Sequence, residues 1–276
     1  MCICSALIAP LRLSLPEGVH CVRRRYEVRH LSELLSMRYQ IYLLNRAEEK
    51  TRLEHFRIQA GRLRQSFARI EAFSSEQIQV SSELSHYDQD TNAQHYYRSL
   101  TMSEIATYAS HRAAWQRMLD DDVDFAIMLE DDVLLANSFS YLARTIAELE
   151  QPWHVLKLAE PYARVKSKGI ERCGAATLVR YPHIPLGTSA YVITREGAET
   201  MLRWSEAFYR PLDVDFQWAW QPGLKVRGIR PYPVQVSHRL GRAEKPVALM
   251  RKHQVRRIVA LKEGLKYRWQ RRLQDA

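Results

Sequence analysis

Three acidic residues in a row, Glu130-Asp131-Asp132, follow the apolar run Phe125–Leu129 (FAIML) without a break. An apolar run of that length reads as a strand buried on both faces. In open α/β sheets ligands bind beyond the carboxyl ends of the strands, so the triplet emerges where a site belongs. Carboxylates suit hard divalent ions such as Mg²⁺ and Mn²⁺, which typically take one or two of them plus substrate phosphates. Glu130 and Asp132 are two apart and can share a side. A solvated acidic turn would use the same residues. Asp120, Asp121, Asp122 and Asp124 precede the strand and read as a solvated connection at its other end.

A second acid pair, Asp213 and Asp215, interrupts the apolar and aromatic segment Pro211–Trp220 (PLDVDFQWAW). Trp218 and Trp220 beside it can stack on sugar faces or fill core. His238 follows Val234–Val236 and reads either as a third metal ligand or as an ordinary histidine. Lys50 and Arg52 lie just after the first candidate strand. Basic side chains there either reach a nucleotide phosphate or solvate a helix.

These residues need elements to hold them. Tyr39–Leu44 (YQIYLL) reads as a first buried strand, and Phe67–Phe73 as a weaker one. Between them, residues 46–65 are charged with helical spacing, Leu53, Phe56 and Ala60 lining one face. Residues 74–100 are polar and serine-rich and read as a long surface loop or lid. Thr101-x-x-Glu104 is a capping box that opens a helix over 101–119, with Ile105, Tyr108, Ala109, Arg112, Trp115 and Leu119 on one side. Trp153–Leu158 and Ala190–Ile193 are further strands. Thr194 then caps a helix whose inner face is Ala198, Met201, Leu202, Ser205 and Phe208. Val226–Val236 is basic and proline-interrupted, an edge strand or extended loop. There is no internal repeat and no glycine-rich phosphate loop.

The chain has 276 residues, 46% of them hydrophobic, enough for one large α/β domain. No apolar run approaches the roughly 20 residues that cross a bilayer. Residues 2–15 do not fit a secretory signal, because no basic stretch precedes them and Pro10 and Arg12 interrupt them. Of four cysteines, Cys2, Cys4 and Cys21 cluster at the start and Cys173 stands apart. That spacing builds neither a disulfide framework nor a zinc site, which suits a reducing cytosol. Residues 1–37 read as an extension, and Met37 stands as an alternative start just before the first strand. The net charge is +10, and residues 251–276 hold nine Lys/Arg against Glu263 and Asp275. Such a basic end points to an anionic partner, membrane or nucleic acid.

The stretch Glu104–Leu135 (EIATYASHRAAWQRMLDDDVDFAIMLEDDVLL) resembles the signature of glycosyltransferase family 25. That family holds bacterial lipopolysaccharide and lipooligosaccharide galactosyltransferases and animal collagen galactosyltransferases. Tyr39–Arg46 resembles its first strand, Leu186–Leu202 its glycine-threonine-aromatic strand and helix, and Pro211-Leu212-Asp213 its proline-apolar-aspartate motif. The resemblance spans roughly residues 39–240. It implies a GT-A-like, Rossmann-type mixed sheet flanked by helices, as one domain over 38–245 with a basic amphipathic helix over 246–276. It further implies a nucleotide-sugar donor, first a UDP-sugar such as UDP-galactose, and inversion at the anomeric carbon. Glu130 and Asp132 take the place of the family's metal motif for Mn²⁺ or Mg²⁺, with Asp131, Gly187 and Thr188 around the donor. Inversion needs a general base, for which Asp213 is first and Asp215 second. Ser110-His111 matches a family motif, so His111 either approaches the donor diphosphate or sits hydrogen-bonded under the sheet. The sequence also departs from the family: Leu43 stands where a first-strand asparagine is expected, Ala106 and Thr107 replace a glycine and a cysteine, and no acidic-glycine element follows near Phe73.

The implied acceptor is a lipid-linked oligosaccharide at the inner face of the inner membrane, with the protein cytoplasmic and peripheral. Leu249, Val259, Leu261, Leu265 and Trp269 would line the apolar side of a C-terminal helix on that anionic surface. Two rivals use the same residues. One is a metal-dependent phosphoryl-transfer enzyme or nuclease. The other is a nucleic-acid-binding protein using the basic end, although its charge is confined to that end and no nucleic-acid motif accompanies it.

Overall fold

The computed structural model describes residues 37–162, 164–237 and 261–269. By contacts the chain divides into Met1–Ser36 and Met37–Ala276, and every described residue belongs to the second unit. The extension expected over 1–37 therefore lies outside the described residues but for Met37, as does His238.

The chain enters with β1 (Tyr39–Asn45), then α1 (Lys50–Arg62) and β2 (Ala68–Glu71). Three short helices follow: α2 (Ser75–Gln79), a 3-10 turn (Ser82–His86) and α3 (Gln89–His95). The long α4 (Met102–Asp120) leads into β3 (Phe125–Glu130), β4 (Val133–Leu135) and α5 (Leu142–Ala147). Next come β5 (Val155–Lys157), the β6 (Lys168–Cys173)–β7 (Ala176–Arg180) hairpin, and β8 (Ala190–Thr194) with α6 (Arg195–Trp204). The remainder is α7 (Leu212–Gln217), β9 (Val226–Arg230), β10 (Val234–Val236) and α8, residues 261–269.

Eight strands form one sheet in the order β2-β1-β3-β8-β5-β9-β7-β6. β1 runs parallel to β2 and β3, whereas β8 is antiparallel to both β3 and β5. The result is the α/β mixed sheet flanked by helices that the sequence leads one to expect. Its apolar strands are continuous because both faces are covered. Tyr42 and Leu44 of β1, Ala126 and Met128 of β3 and Tyr191 and Ile193 of β8 face the side packed by α4 and α6. Ile41, Leu43, Ile127, Leu129 and Val192 face the side packed by Phe56 and Ala60 of α1 and Leu142 and Ile146 of α5. The period of two along each strand thus feeds two cores.

Two expectations change. Residues 74–100 are not an irregular loop, because their serines and aspartate are helix caps. The Ser74 hydroxyl accepts from the Gln77 amide at 3.2 Å while the Gln77 side chain accepts from the Ser74 amide at 2.8 Å. Ser81 caps the 3-10 turn, and Asp88 accepts from the Thr91 amide at 2.8 Å to open α3. Ile78, Tyr96 and Leu100 anchor this layer in the core. Val226–Val236 is an edge only in its last part, where β10 pairs with β4 alone. β9 lies between β5 and β7, and the prolines Pro231 and Pro233 fall in the connection to β10, where no ladder bond is lost.

Thr101 and Glu104 form the expected capping box of α4. The helix is buried almost all round, with Ala106, Ser110, His111, Ala114 and Met118 enclosed along with the expected face. Replacing a capping side chain removes the partner of one orphan amide. Ser74→Ala is expected to lower unfolding free energy by about 1 kcal/mol. Urea unfolding followed by circular dichroism reads this, and an unchanged midpoint would show that the cap is not supporting the 75–95 layer.

Candidate active site

The strand directions bring four chain segments to one edge of the sheet. β1 and β3 end there in Asn45 and Glu130. β5 runs antiparallel to β8, so Lys157 at its end and Gly187–Ser189 before β8 meet at the same edge. Gly187 must be glycine. Its φ is +89°, and a Cβ there would stand 2.3 Å from Pro161 Cγ.

The three consecutive carboxylates have three different surroundings. Glu130 accepts from the Thr188 hydroxyl at 2.6 Å and the Ser189 hydroxyl at 3.4 Å, and its Oε1 is 3.4 Å from His111 Nε2. Burial pushes its carboxyl up, but His111, Thr188 and Ser189 outweigh burial and hold it below the usual range. Asp131 is buried. It accepts from the Asn45 amide at 2.7 Å and from Arg52 at 3.1 Å. Burial and the neighbouring Glu130 still raise its carboxyl.

Asp132 is the exception. Its Oδ1 is buried with no hydrogen-bond partner among the described residues. Burial first, then repulsion by Glu130 and Asp131, pushes its carboxyl up to about 7. A hard cation would supply the missing charge, and oxygen is the donor type that Mg²⁺ and Mn²⁺ favour. Among the described residues, no group of three or more His, Cys, Asp or Glu side chains is placed to enclose a metal. Asp132 therefore fits a site with few protein ligands that substrate phosphates and water complete.

Two cavities open at this edge. One, of about 240 Å³, is lined by Arg46, Arg52, Ser110, His111, Asp131 and Asp132 among others. The other, of about 300 Å³, is lined by Tyr96, Tyr97, Arg98, Gly187, Thr188 and Asp213 among others. Ser103, Thr107 and Glu130 belong to both linings, so the cavities adjoin along Glu130.

Residues 38–218 match the model of glycosyltransferase family 25, described as an LPS biosynthesis protein. The chain belongs to glycosyltransferase family 25. The phosphoryl-transfer and nucleic-acid readings give way to that membership, and the protein is a glycosyltransferase. No curated protein matches the chain. Among solved structures it is similar to mannose-1-phosphate geranyltransferase from Thermus thermophilus. That likeness has 11% identity and a TM-score of 0.38 over 73% of this chain and 75% of that one, too loose to bear on the site.

Within this family 25 cleft the sequence-derived residues separate. Glu130, Asp131, Asp132, Arg52 and His111 gather in one cavity, and Gly187, Thr188 and Asp213 in the other. The placement of His111 agrees with its reading as a buried, hydrogen-bonded histidine. It is fully buried beneath the sheet, 2.9 Å from the Tyr191 hydroxyl, and it also lines the cavity that holds Asp132. Asp215 does not reach the cleft. Two residues on from Asp213, it points into the core, where Arg210 Nε and the Tyr108 hydroxyl each donate to it at 2.8 Å. A buried ion pair of this kind is structural. Lys50 is exposed at the start of α1 and lines neither cavity.

Sequence reasoning missed two residues. Asn45, not position 43, brings an amide to the site. Leu43 is packed in the core facing α1, whereas Asn45 ends β1 and binds Asp131. Lys157 is the other. It is buried, its ammonium donates to the Gly187 carbonyl, and burial pushes it down to about 8. A polar residue ending an apolar strand is the available signal for both.

The raised Asp132 carboxyl has a consequence for stability. Its ordinary value is 3.8, so between there and about 7 the folded chain holds a proton more tightly than the unfolded chain. Stability from this group is complete at low pH and is lost as pH rises through about 7. Asp132→Asn is expected to raise Tm of the metal-free protein at pH ~8 and to leave it unchanged near pH ~4. A thermal scan across pH with chelator checks this, and a mutational effect that does not vary with pH would contradict it.

Proposed function

We propose that the protein is a GT-A-type, inverting transferase that moves a hexose, galactose first, from a UDP-sugar to a glycan acceptor. The observation that carries this reading is the pair of cavities adjoining at Glu130, one with Asp132, whose Oδ1 has no hydrogen-bond partner among the described residues, and the other with Asp213. The donor diphosphate lies in the cavity of Asp132, where Arg46 and Arg52 offer positive charge to phosphate. Mn²⁺ or Mg²⁺, held by Asp132 with Glu130, would offset charge on the departing nucleotide. His238 as a further ligand belongs to the same proposal and lies outside the described residues.

The acceptor hydroxyl lies in the other cavity and gives its proton to Asp213. Burial raises this carboxyl, while the Gly187 N–H, from which it accepts at 3.0 Å, and the charge of Lys157 pull it back. A raised carboxylate is a better base near neutral pH than an ordinary one. Lys157 binds the carbonyl of the same glycine whose amide binds Asp213, and so fixes the loop between them.

Asp213→Asn keeps an oxygen for the Gly187 amide and loses the base. Turnover is expected to fall by about 10²-fold or more, with UDP-sugar affinity within about twofold of wild type. Nucleotide release over a donor panel, with and without Mn²⁺, measures the first, and calorimetry the second. Near-normal turnover would reject Asp213 as base.

The acceptor is proposed to be lipid-linked, with the protein peripheral on the inner face of the membrane. No described helix is long and apolar enough to cross a membrane. α8 instead carries Leu261, Leu265 and Trp269 four residues apart, hence on one face, and they are 61%, 53% and 63% exposed. Lys262, Lys266 and Arg268 flank them along the same helix. An apolar stripe edged by basic residues is what an interfacial helix presents to an anionic leaflet. Leu265→Glu with Trp269→Glu is expected to abolish pelleting with anionic vesicles without altering turnover on a soluble acceptor. Pelleting equal to wild type would remove the membrane contact.

A further inference from the structure

A third cavity, of about 200 Å³, lies between α8 and the body of the protein. Tyr96 and Tyr97 line both this cavity and the one that holds Asp213, so the two are neighbours across those rings. The rings of Tyr97, Trp218 and Tyr267 give it aromatic walls, and Gln217, Arg210 and the His95–Glu263 pair give it polar edges. Sugar rings are recognised by such a combination, because their C–H faces pack on aromatic rings while their hydroxyls need planar polar partners.

Two features of its lining stand out. Arg210 is 1% exposed and lines it, with Nε on Asp215 and Nη2 on Gln221, yet its Nη1 has no hydrogen-bond partner among the described residues. A buried guanidinium nitrogen without an acceptor is costly, so the wall behind this cavity holds an unmet donor. The second is Gly264, which lines the cavity from within α8. Glycine weakens a helix, and here a Cβ would meet no described atom within 4 Å, so crowding does not demand it. What a side chain at 264 would do is project into open space beside the cavity.

We propose that this third cavity is a subsite for a further sugar ring of the acceptor glycan, adjoining the ring that receives the transferred hexose. The proposal rests on the reading of the Asp213 cavity as the acceptor side. α8 would then close one wall of the acceptor channel with Gly264 and Tyr267 while Leu261, Leu265 and Trp269 stay exposed on it. The enzyme would select acceptors of at least two rings.

The test uses the full-length protein without donor and, as probe, a lipopolysaccharide core oligosaccharide freed of lipid. Calorimetry or saturation-transfer NMR gives its Kd. Gly264→Leu is expected to weaken binding at least about tenfold while Tm stays level or rises, since leucine favours the helix. Gln217→Ala, which adds no bulk, is expected to weaken it at least about threefold, the loss of one hydrogen bond to a sugar hydroxyl. Should Gly264→Leu lower Tm, the Gln217→Ala result decides. Equal affinity in wild type and the deciding variant, or no binding by the wild type at millimolar oligosaccharide, overturns the subsite. Binding that responds to these variants while no UDP-sugar yields nucleotide release would support the subsite and instead sink the proposed donor.

Discussion

Holding three adjacent carboxylates at the carboxyl edge of a sheet is the constraint around which the rest of the molecule is arranged. Side by side and partly buried, Glu130, Asp131 and Asp132 repel one another, and a fold that left all three unpaired would push them toward protonation. The chain answers with three separate devices. Glu130 is met by hydroxyls from the loop before β8, which requires β8 to run antiparallel beside β3. Asp131 is met by the last residue of β1 and by the first turn of α1. Asp132 is left with an oxygen that has no hydrogen-bond partner among the described residues. Sheet order and strand direction are therefore the means by which negative charge is compensated at two positions and left without compensation at a third, whose carboxyl rises to about 7.

The histidine under the sheet belongs to the same arrangement of charge. Trp115 Nε1 donates to the Tyr191 hydroxyl at 2.9 Å, and that hydroxyl lies 2.9 Å from His111 Nδ1. Indole can donate only, so the Tyr191 hydroxyl accepts from Trp115, and Trp115, Tyr191, His111 and Glu130 form one connected run. Because α4 carries both Trp115 and His111, the burial of nearly every side of that helix also fixes how Glu130 is held.

What can be read from the sequence follows from this division. Apolar runs such as Phe125–Leu129 announce buried strands because burial on both faces leaves no polar positions. The triplet after them is legible for the same reason: charge directly after such a run needs an explanation. The Ser74, Ser81 and Asp88 caps are hidden, because a capping serine and a loop serine look alike until the residues they cap are known to be core. Asp213 and Asp215 are indistinguishable in sequence. On α7, two residues turn a side chain by more than half a circle, which sends Asp213 to the cleft and Asp215 to Arg210. Asn45 and Lys157 act through partners 86 and 30 residues away, and no local pattern records such distances.

Gly187 shows how tightly the two sides of the cleft are joined. Its carbonyl accepts from buried Lys157, its amide donates to half-buried Asp213, and its neighbour Thr188 donates to Glu130. A positive φ and the pressure of Pro161 leave no room for any other residue. Movement of this one turn would change the surroundings of the carboxylate between the cavities and of the carboxylate beyond it at once. Lys157 is buried away from the water that would stabilise its charge, so its attraction to Asp213 and Glu130 is felt at low effective dielectric. The buried ammonium thus holds the turn mechanically through one hydrogen bond and electrostatically through two carboxylates. A lysine that ends an apolar strand is for this reason part of the cleft's construction, although its side chain lines neither cavity.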